Sequence, residues 1–171
     1  MTGIFDGLAK LANDKLKLGN KPTSMSVSLK SNGKRKFLKD IEKKKPELGS
    51  LIDQYTPFIN SIYQLREEVV HRTMLPDARI TTPNWKVNSI EIDEDFVGHL
   101  SHYPNKVPEY DLISEWGSFQ YYEIHCLEPY RFAKTSTRML IQFIDKYLEL
   151  LDFKEQADHF TQNFEKLNLG F

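Results

Sequence analysis

Apolar positions in the first half of the chain recur with helical spacing. Leu48, Leu51, Ile52, Tyr55, Phe58, Ile59, Ile62 and Tyr63 follow one another at steps of three and four, which predicts a buried helical stripe over residues 47–75. Pro57, preceded by Thr56, either kinks this helix or starts a fresh one capped by the threonine. Upstream, Phe37, Leu38 and Ile41 predict a helix over 34–45, and Pro46 marks the boundary between the two. Ile4, Phe5, Leu8, Leu11 and Leu16 predict a short amphipathic helix, able to dock on the body or on a partner and closed at Gly19. Turn formers dominate 19–33, so residues 1–33 read as a terminal helix and connector, with Val27 and Leu29 allowing a brief extended stretch.

From Pro76 to Pro129 the helical period is lost, and Pro76, Pro83, Pro104, Pro108 and Pro129 punctuate an aromatic-rich stretch. Trp85 to Ile92 is the best strand, by its β-branched residues and late alternation, while Phe119 to Ile124 fits a strand or a helical turn. The expectation is an irregular insert over about 76–130 that can hold a β-hairpin; a run this long without helices is often functional. Helical spacing returns after Thr135-Ser136-Thr137 with Leu140, Ile144, Tyr147, Leu148 and Leu151. A second stripe, Phe153, Ala157, Phe160, Phe164 and Leu167, carries the predicted helix over 135–168 and closes at Gly170. The fold class is therefore mainly α, with the helical domain spanning 34–171.

Composition narrows the setting. A chain of 171 residues with 40% hydrophobic content suits one core. Lys and Arg number 23 against 24 Asp and Glu, so no global charge draws the chain to nucleic acid or to a membrane, and anion binding must be local. One cysteine, Cys126, excludes an intrachain disulfide and a cysteine-based zinc site. No apolar run approaches the roughly 20 residues that span a bilayer, and the amino terminus lacks the apolar core of a signal peptide. These features predict a cytoplasmic protein with no membrane partner.

Candidate chemistry is sparse. His99 and His102, with Asp93, Glu94 and Asp95 upstream, are the nearest approach to a metal-ligand cluster, and loop histidines beside acids are usually solvated; no metal is expected. Cys126 beside His125 resembles a thiol nucleophile and its base only in sequence, since adjacent residues seldom meet in that geometry; a buried structural cysteine is expected. Glycine-rich phosphate loops and Gly-x-Ser-x-Gly elbows are absent from the sequence, which leaves nucleotide kinase and serine hydrolase readings without support. Lys34, Arg35, Lys36, Lys39 and Lys43 to Lys45 form a basic helix face that suits either a polyanion or plain solvation.

The most informative segment is Arg66-Glu67-Glu68-Val69-Val70-His71-Arg72, where the helical stripe reaches Leu65 or Arg66. An arginine at the edge of a buried face must be paired or turned toward a cleft, because an unpaired buried charge costs several kcal/mol. Five residues on stands a histidine, the side chain that donates and accepts protons near neutral pH. RNA cleavage through the 2'-hydroxyl needs a proton acceptor, a proton donor and a cation for the phosphorane, and requires no metal. Histidine, with an ordinary pKa of about 6.5, serves as base or acid, and the arginine fork matches phosphate. An ideal helix sets positions five apart about 140° from each other, so the arginine stem or a helix end near His71 must close the gap. The competing reading pairs Arg66 with a carboxylate across the core and uses His71 as a helix cap.

Arg-x4-His at the end of an apolar helix, followed by an irregular insert and a long amphipathic helix, resembles the HEPN family of small helical domains over about Lys34 to Phe160. The resemblance implies an up-and-down bundle of four to five helices that dimerises so that Arg66 and His71 of both copies line one cleft. Many members are metal-independent ribonucleases, found in prokaryotic defence and toxin modules; others are inactive binding or dimerisation modules. It thus assigns catalysis to Arg66 and His71, and substrate contact is expected of their neighbours Arg72 and Glu67. Active members often carry Asn, Asp or His after the arginine, whereas Glu67 and Glu68 would repel phosphate and Arg72 partly offsets them. The expected function is that of a dimeric HEPN-like RNA-processing endoribonuclease without cofactor, the toxin or effector half of a toxin-antitoxin or defence system, with RNA and a neutralising protein as partners. The alternative is a catalytically inactive helical dimerisation module that binds a partner protein or nucleotide. Self-association is expected through the stripe of Phe153, Phe160, Phe164 and Leu167.

Overall fold

A computed structural model describes residues 2–21, 26–30, 36–71, 77–81, 86–100, 102 and 114–153, with 68–71, 77–81 and 86 described as backbone only. The chain is mainly helical with an antiparallel sheet in the insert. It divides into two units, one drawn from residues up to Ile62 and from Leu140 onward, the other running from Tyr63 to Met139.

The first unit contains α1 (Thr2–Lys15), α2 (Lys36–Lys44), α3 (Pro46–His71) as far as Ile62, and the end of a later helix from Leu140. The periodic residues fill its core as the stripe demands: Phe37, Ile41, Leu48, Ile52, Phe58, Ile59 and Phe143 are almost fully buried. Phe5 of α1 lies between Phe58 and Phe143, edge-on with both ring centroids 5.9 Å away. The buried Tyr147 hydroxyl donates to the Leu8 carbonyl at 3.1 Å, and burial pushes its pKa far above the ordinary phenol value. The first helix is thus part of the core. Val27 and Leu29 of the connector are also buried, in a bend with no strand pairing.

Helix α1 ends before Gly19. Lys17 takes the left-handed conformation (φ 51°), with Leu18 N–H donating to Asn13 C=O and Lys17 N–H to Asp14 C=O, the double closure of a Schellman motif built without glycine. Asn13 is buried and exchanges hydrogen bonds with the Asn20 backbone, fastening the chain that leaves the helix. Only Lys45 separates α2 from α3, and Gly49 lets the two helices approach so closely that a Cβ there would lie 2.9 Å from Glu42 Cα. Helix α3 continues through Pro57; it neither stops nor restarts there. The Thr56 hydroxyl returns to the Ile52 carbonyl at 3.0 Å, so this threonine is no cap.

The second unit holds the end of α3, strands β1 (Asp77–Thr81) and β2 (Lys86–Ile92), the short α4 (Glu94–Leu100), strands β3 (Ser118–Tyr121) and β4 (Ile124–Leu127), and the start of α5 (Pro129–Leu150). All pairs in its sheet, ordered β1-β2-β4-β3, are antiparallel. The insert is therefore more regular than the prolines suggest: β2 matches the predicted strand, and Phe119–Ile124 is neither one strand nor a helical turn but two strands split by Tyr122–Glu123. Phe96, Trp116 and Phe132 form the aromatic core, with centroids 5.7 Å and 6.1 Å from the Phe132 ring. Gly117 (φ 82°) turns the chain where a Cβ would meet the Glu128 carbonyl at 2.6 Å.

Helix α5 corrects the predicted start at Thr135. Pro129 opens it, since its missing N–H needs no partner in the first turn, and the Glu128 carboxylate caps the N–H groups of Tyr130 (3.0 Å) and Arg131 (2.8 Å). Thr135 and Ser136 are buried inside the helix, and the Thr135 hydroxyl donates to the Glu115 carbonyl at 2.9 Å. The helix also stops short of 168: Asp152 (φ 64°) closes it in a second Schellman motif, with Phe153 N–H donating to Leu148 C=O. The predicted stripe over Ala157, Phe160, Phe164 and Leu167 lies outside the described residues.

Candidate site at the end of the third helix

Helix α3 sets the geometry of the Arg-x4-His segment. Its core stripe ends with the buried Ile62 and Tyr63, Leu65 is half-buried, and Arg66 and Glu67 are exposed. This overturns the reading of Arg66 as a residue at the edge of the core and, with it, the buried ion pair: among the described residues no carboxylate pairs with Arg66. Position 66 stands five full turns after Leu48, on the azimuth of the stripe, so what ends after Tyr63 is the cover over that face and not the periodicity.

Helix α3 runs to His71, and residues 72–75 of the predicted helix, Arg72 among them, lie outside the described residues. The backbone stays helical from 66 to 71, so those two positions remain about 140° apart. Arg66 and Glu67 adjoin in sequence and are both exposed, a cation and an anion at neighbouring positions.

Behind this helix end lies a contact that the sequence did not announce. The Gln64 side-chain amide donates to both carboxylate oxygens of Asp93, at 2.9 Å and 3.1 Å, and Asp93 Oδ1 also accepts the Phe96 N–H at 2.7 Å. Asp93 is thus the amino-terminal cap of α4 and the tie between that helix and α3. The signal was an aspartate three residues ahead of Phe96 at the close of a strand, legible as a cap, though its second partner is 29 residues away.

The other candidate clusters resolve into structural roles. Asp93 is engaged as described, His99 is half-buried and His102 exposed, and among the described residues no three His, Cys, Asp or Glu side chains are grouped to hold a metal. Burial pushes the His99 pKa below its ordinary value; Asp95 and Asp93 pull it up and His102 pushes it further down. Cys126 is buried beside Phe119, with Val87 and Tyr121 at the edge of the cluster. Burial raises its pKa, against which a hydrogen bond with the Ser89 side chain acts, so the thiol is a packing group. His125 precedes it on β4 and therefore projects from the opposite sheet face.

Comparison of the chain with family models, curated proteins and solved structures returns no match. What stands is the class: a mainly α chain carrying an antiparallel four-stranded sheet between two long helices, with no described helix long and apolar enough to cross a membrane.

Proposed function

We propose that the chain is a HEPN-like RNA-processing protein, a metal-independent endoribonuclease that works as a dimer, with Arg66 binding phosphate and His71 moving protons. The observation that carries this reading is the exposure of Arg66 on α3, five positions before His71 on the same helix. An exposed arginine keeps its planar fork available to an incoming phosphate, and histidine is the side chain that moves protons near neutral pH. The divergence of about 140° favours two copies, since Arg66 of one can meet His71 of the other where a single helix keeps them apart. Two histidines also divide the work, one accepting the 2'-hydroxyl proton while the other donates to the 5'-oxygen leaving group. Such a protein would act in the cytoplasm, as the toxin or effector of a defence system, and Arg72 and Glu67 would border the bound RNA.

The test is cleavage of single-stranded and structured RNA by the purified protein in chelator. Expected are cleavage without metal, products ending in a 2',3'-cyclic phosphate, and full resistance of an RNA with 2'-deoxyribose at the cut position. A protein that cleaves none of these RNAs, with or without added divalent cations, is instead the inactive dimerisation module.

A further inference from the structure

The tip joining β3 and β4 consists of two residues, Tyr122 and Glu123. Tyr122 sits at φ 52°, the left-handed conformation that two-residue hairpin turns usually give to glycine or asparagine. Its ring is 83% exposed, and Tyr121 holds it edge-on with centroids 4.7 Å apart at 83°. A strained, solvent-facing aromatic serves neither the core nor the turn, and strain of this kind marks sites kept for recognition.

The surroundings specify what is recognised. Ile124, opposite Tyr121 in the register, is exposed, and Glu91, opposite Cys126, falls on the same sheet face as Ile124. Glu91 and Glu123 are both exposed, and neither pairs with a cation among the described residues. Because Ile92 pairs with His125, β2 ends two residues short of the tip on the tip side of the ladder, and the exposed Glu94 and Asp95 follow directly in sequence. An aromatic face set among carboxylates repels phosphate and attracts a guanidinium or ammonium, which gains the ring quadrupole and the anionic rim together.

We propose that the β3–β4 tip, Tyr122 backed by Tyr121 and adjoined by Glu123, with Glu91 further down the same sheet, is the docking point for an arginine- or lysine-bearing segment of a partner protein. The proposal is independent of the ribonuclease reading, since the tip neither contains Arg66 nor requires cleavage.

Fluorescence anisotropy with a fluorescein-labelled peptide of alternating arginine and glycine tests it on the full chain. The wild type should bind the peptide at low salt. Tyr122→Gly, which suits the left-handed backbone and leaves the charge unchanged, should weaken binding by about fivefold to thirtyfold, the equivalent of about 1–2 kcal/mol of cation–π attraction. Tyr122→Phe should keep the affinity, and Glu123→Lys should lower it. A thermal melt of Tyr122→Gly at or above the wild-type midpoint establishes that the loss is local. Absence of peptide binding, or equal binding by Tyr122→Gly, overturns the proposal. So does binding of a labelled deca-uridylate that is lost in Tyr122→Gly, because that assigns the tip to base stacking on RNA.

Discussion

Gln64 and Asp93, 29 residues apart, are joined by a side-chain amide that donates to both oxygens of a helix-capping carboxylate. Asp93→Ala removes the cap of α4 and strands the Gln64 amide, and should destabilise by about 1–2 kcal/mol in urea denaturation. Asp93→Asn, an equally good cap, should cost less than about 1 kcal/mol. Gln64→Ala leaves the cap in place, so a double-mutant cycle should return a coupling of about 1 kcal/mol. Full additivity would show that the amide contributes nothing.

Two helical glycines should respond to alanine with opposite signs. At Gly49 a Cβ would press on Glu42 backbone at 2.9 Å, which flexible side chains cannot relieve, so Gly49→Ala should cost about 1–3 kcal/mol as α2 and α3 are forced apart. Gly7 in α1 has open space and an exposed position. There alanine gains helix propensity, and Gly7→Ala should stabilise by about 0.5–1 kcal/mol. Thermal melts of the two variants bracket the wild type if helix contact governs the first and chain entropy the second.

The elements legible in the sequence were those whose signal is local. The stripe from Leu48 to Tyr63 is buried as its spacing requires, and Leu140, Ile144, Tyr147 and Leu151 line the core from α5. Signals that depend on distant partners were lost. Strand β2 reads as a strand by itself, but its β4 neighbour is four residues long and more than thirty residues away, too short for alternation to identify. The start of α5 is hidden in the sequence because Pro129 resembles the loop prolines before it, and its cap is a glutamate in place of serine or threonine. Lys17 and Asp152 end their helices without the glycine that usually marks such a turn. Arg66 lies on the azimuth of the stripe, five turns after Leu48, and spacing alone does not say where along a helix the cover over that face ends.

His99 should make the second unit sensitive to mild acid. Burial lowers its pKa in the folded chain, more than Asp95 and Asp93 raise it, so the unfolded chain binds a proton first as pH falls. Stability is therefore retained above about pH 6.5 and declines as pH drops from there toward the lower folded value. Urea midpoints measured from pH 7.5 to pH 5.5 should fall in the wild type and less steeply in His99→Gln. Identical slopes would move the acid sensitivity to other groups.

Arg66 and His71 are best separated by pairing activity with stability in the same variants. Arg66 is exposed and has no described carboxylate partner, so Arg66→Ala and Arg66→Lys should melt within about 0.5 kcal/mol of the wild type, far from the roughly 3–5 kcal/mol that breaking a buried ion pair would cost. On the proposed chemistry Arg66→Lys keeps the charge and loses the bidentate fork, so RNA cleavage should fall while light scattering still gives about twice the chain mass. His71→Ala removes proton transfer, which contributes about 100-fold to 10,000-fold in such reactions, and should bring cleavage close to background with the fold intact. A dimer with a shared site adds a sharper expectation. Adding an excess of His71→Ala protein to the wild type, with subunit exchange demonstrated, should lower cleavage below that of the wild-type protein alone, because a mixed dimer keeps only one of the two histidines that divide the proton transfers. Activity that stays proportional to the wild-type protein added would confine each site to a single chain and count against the composite site.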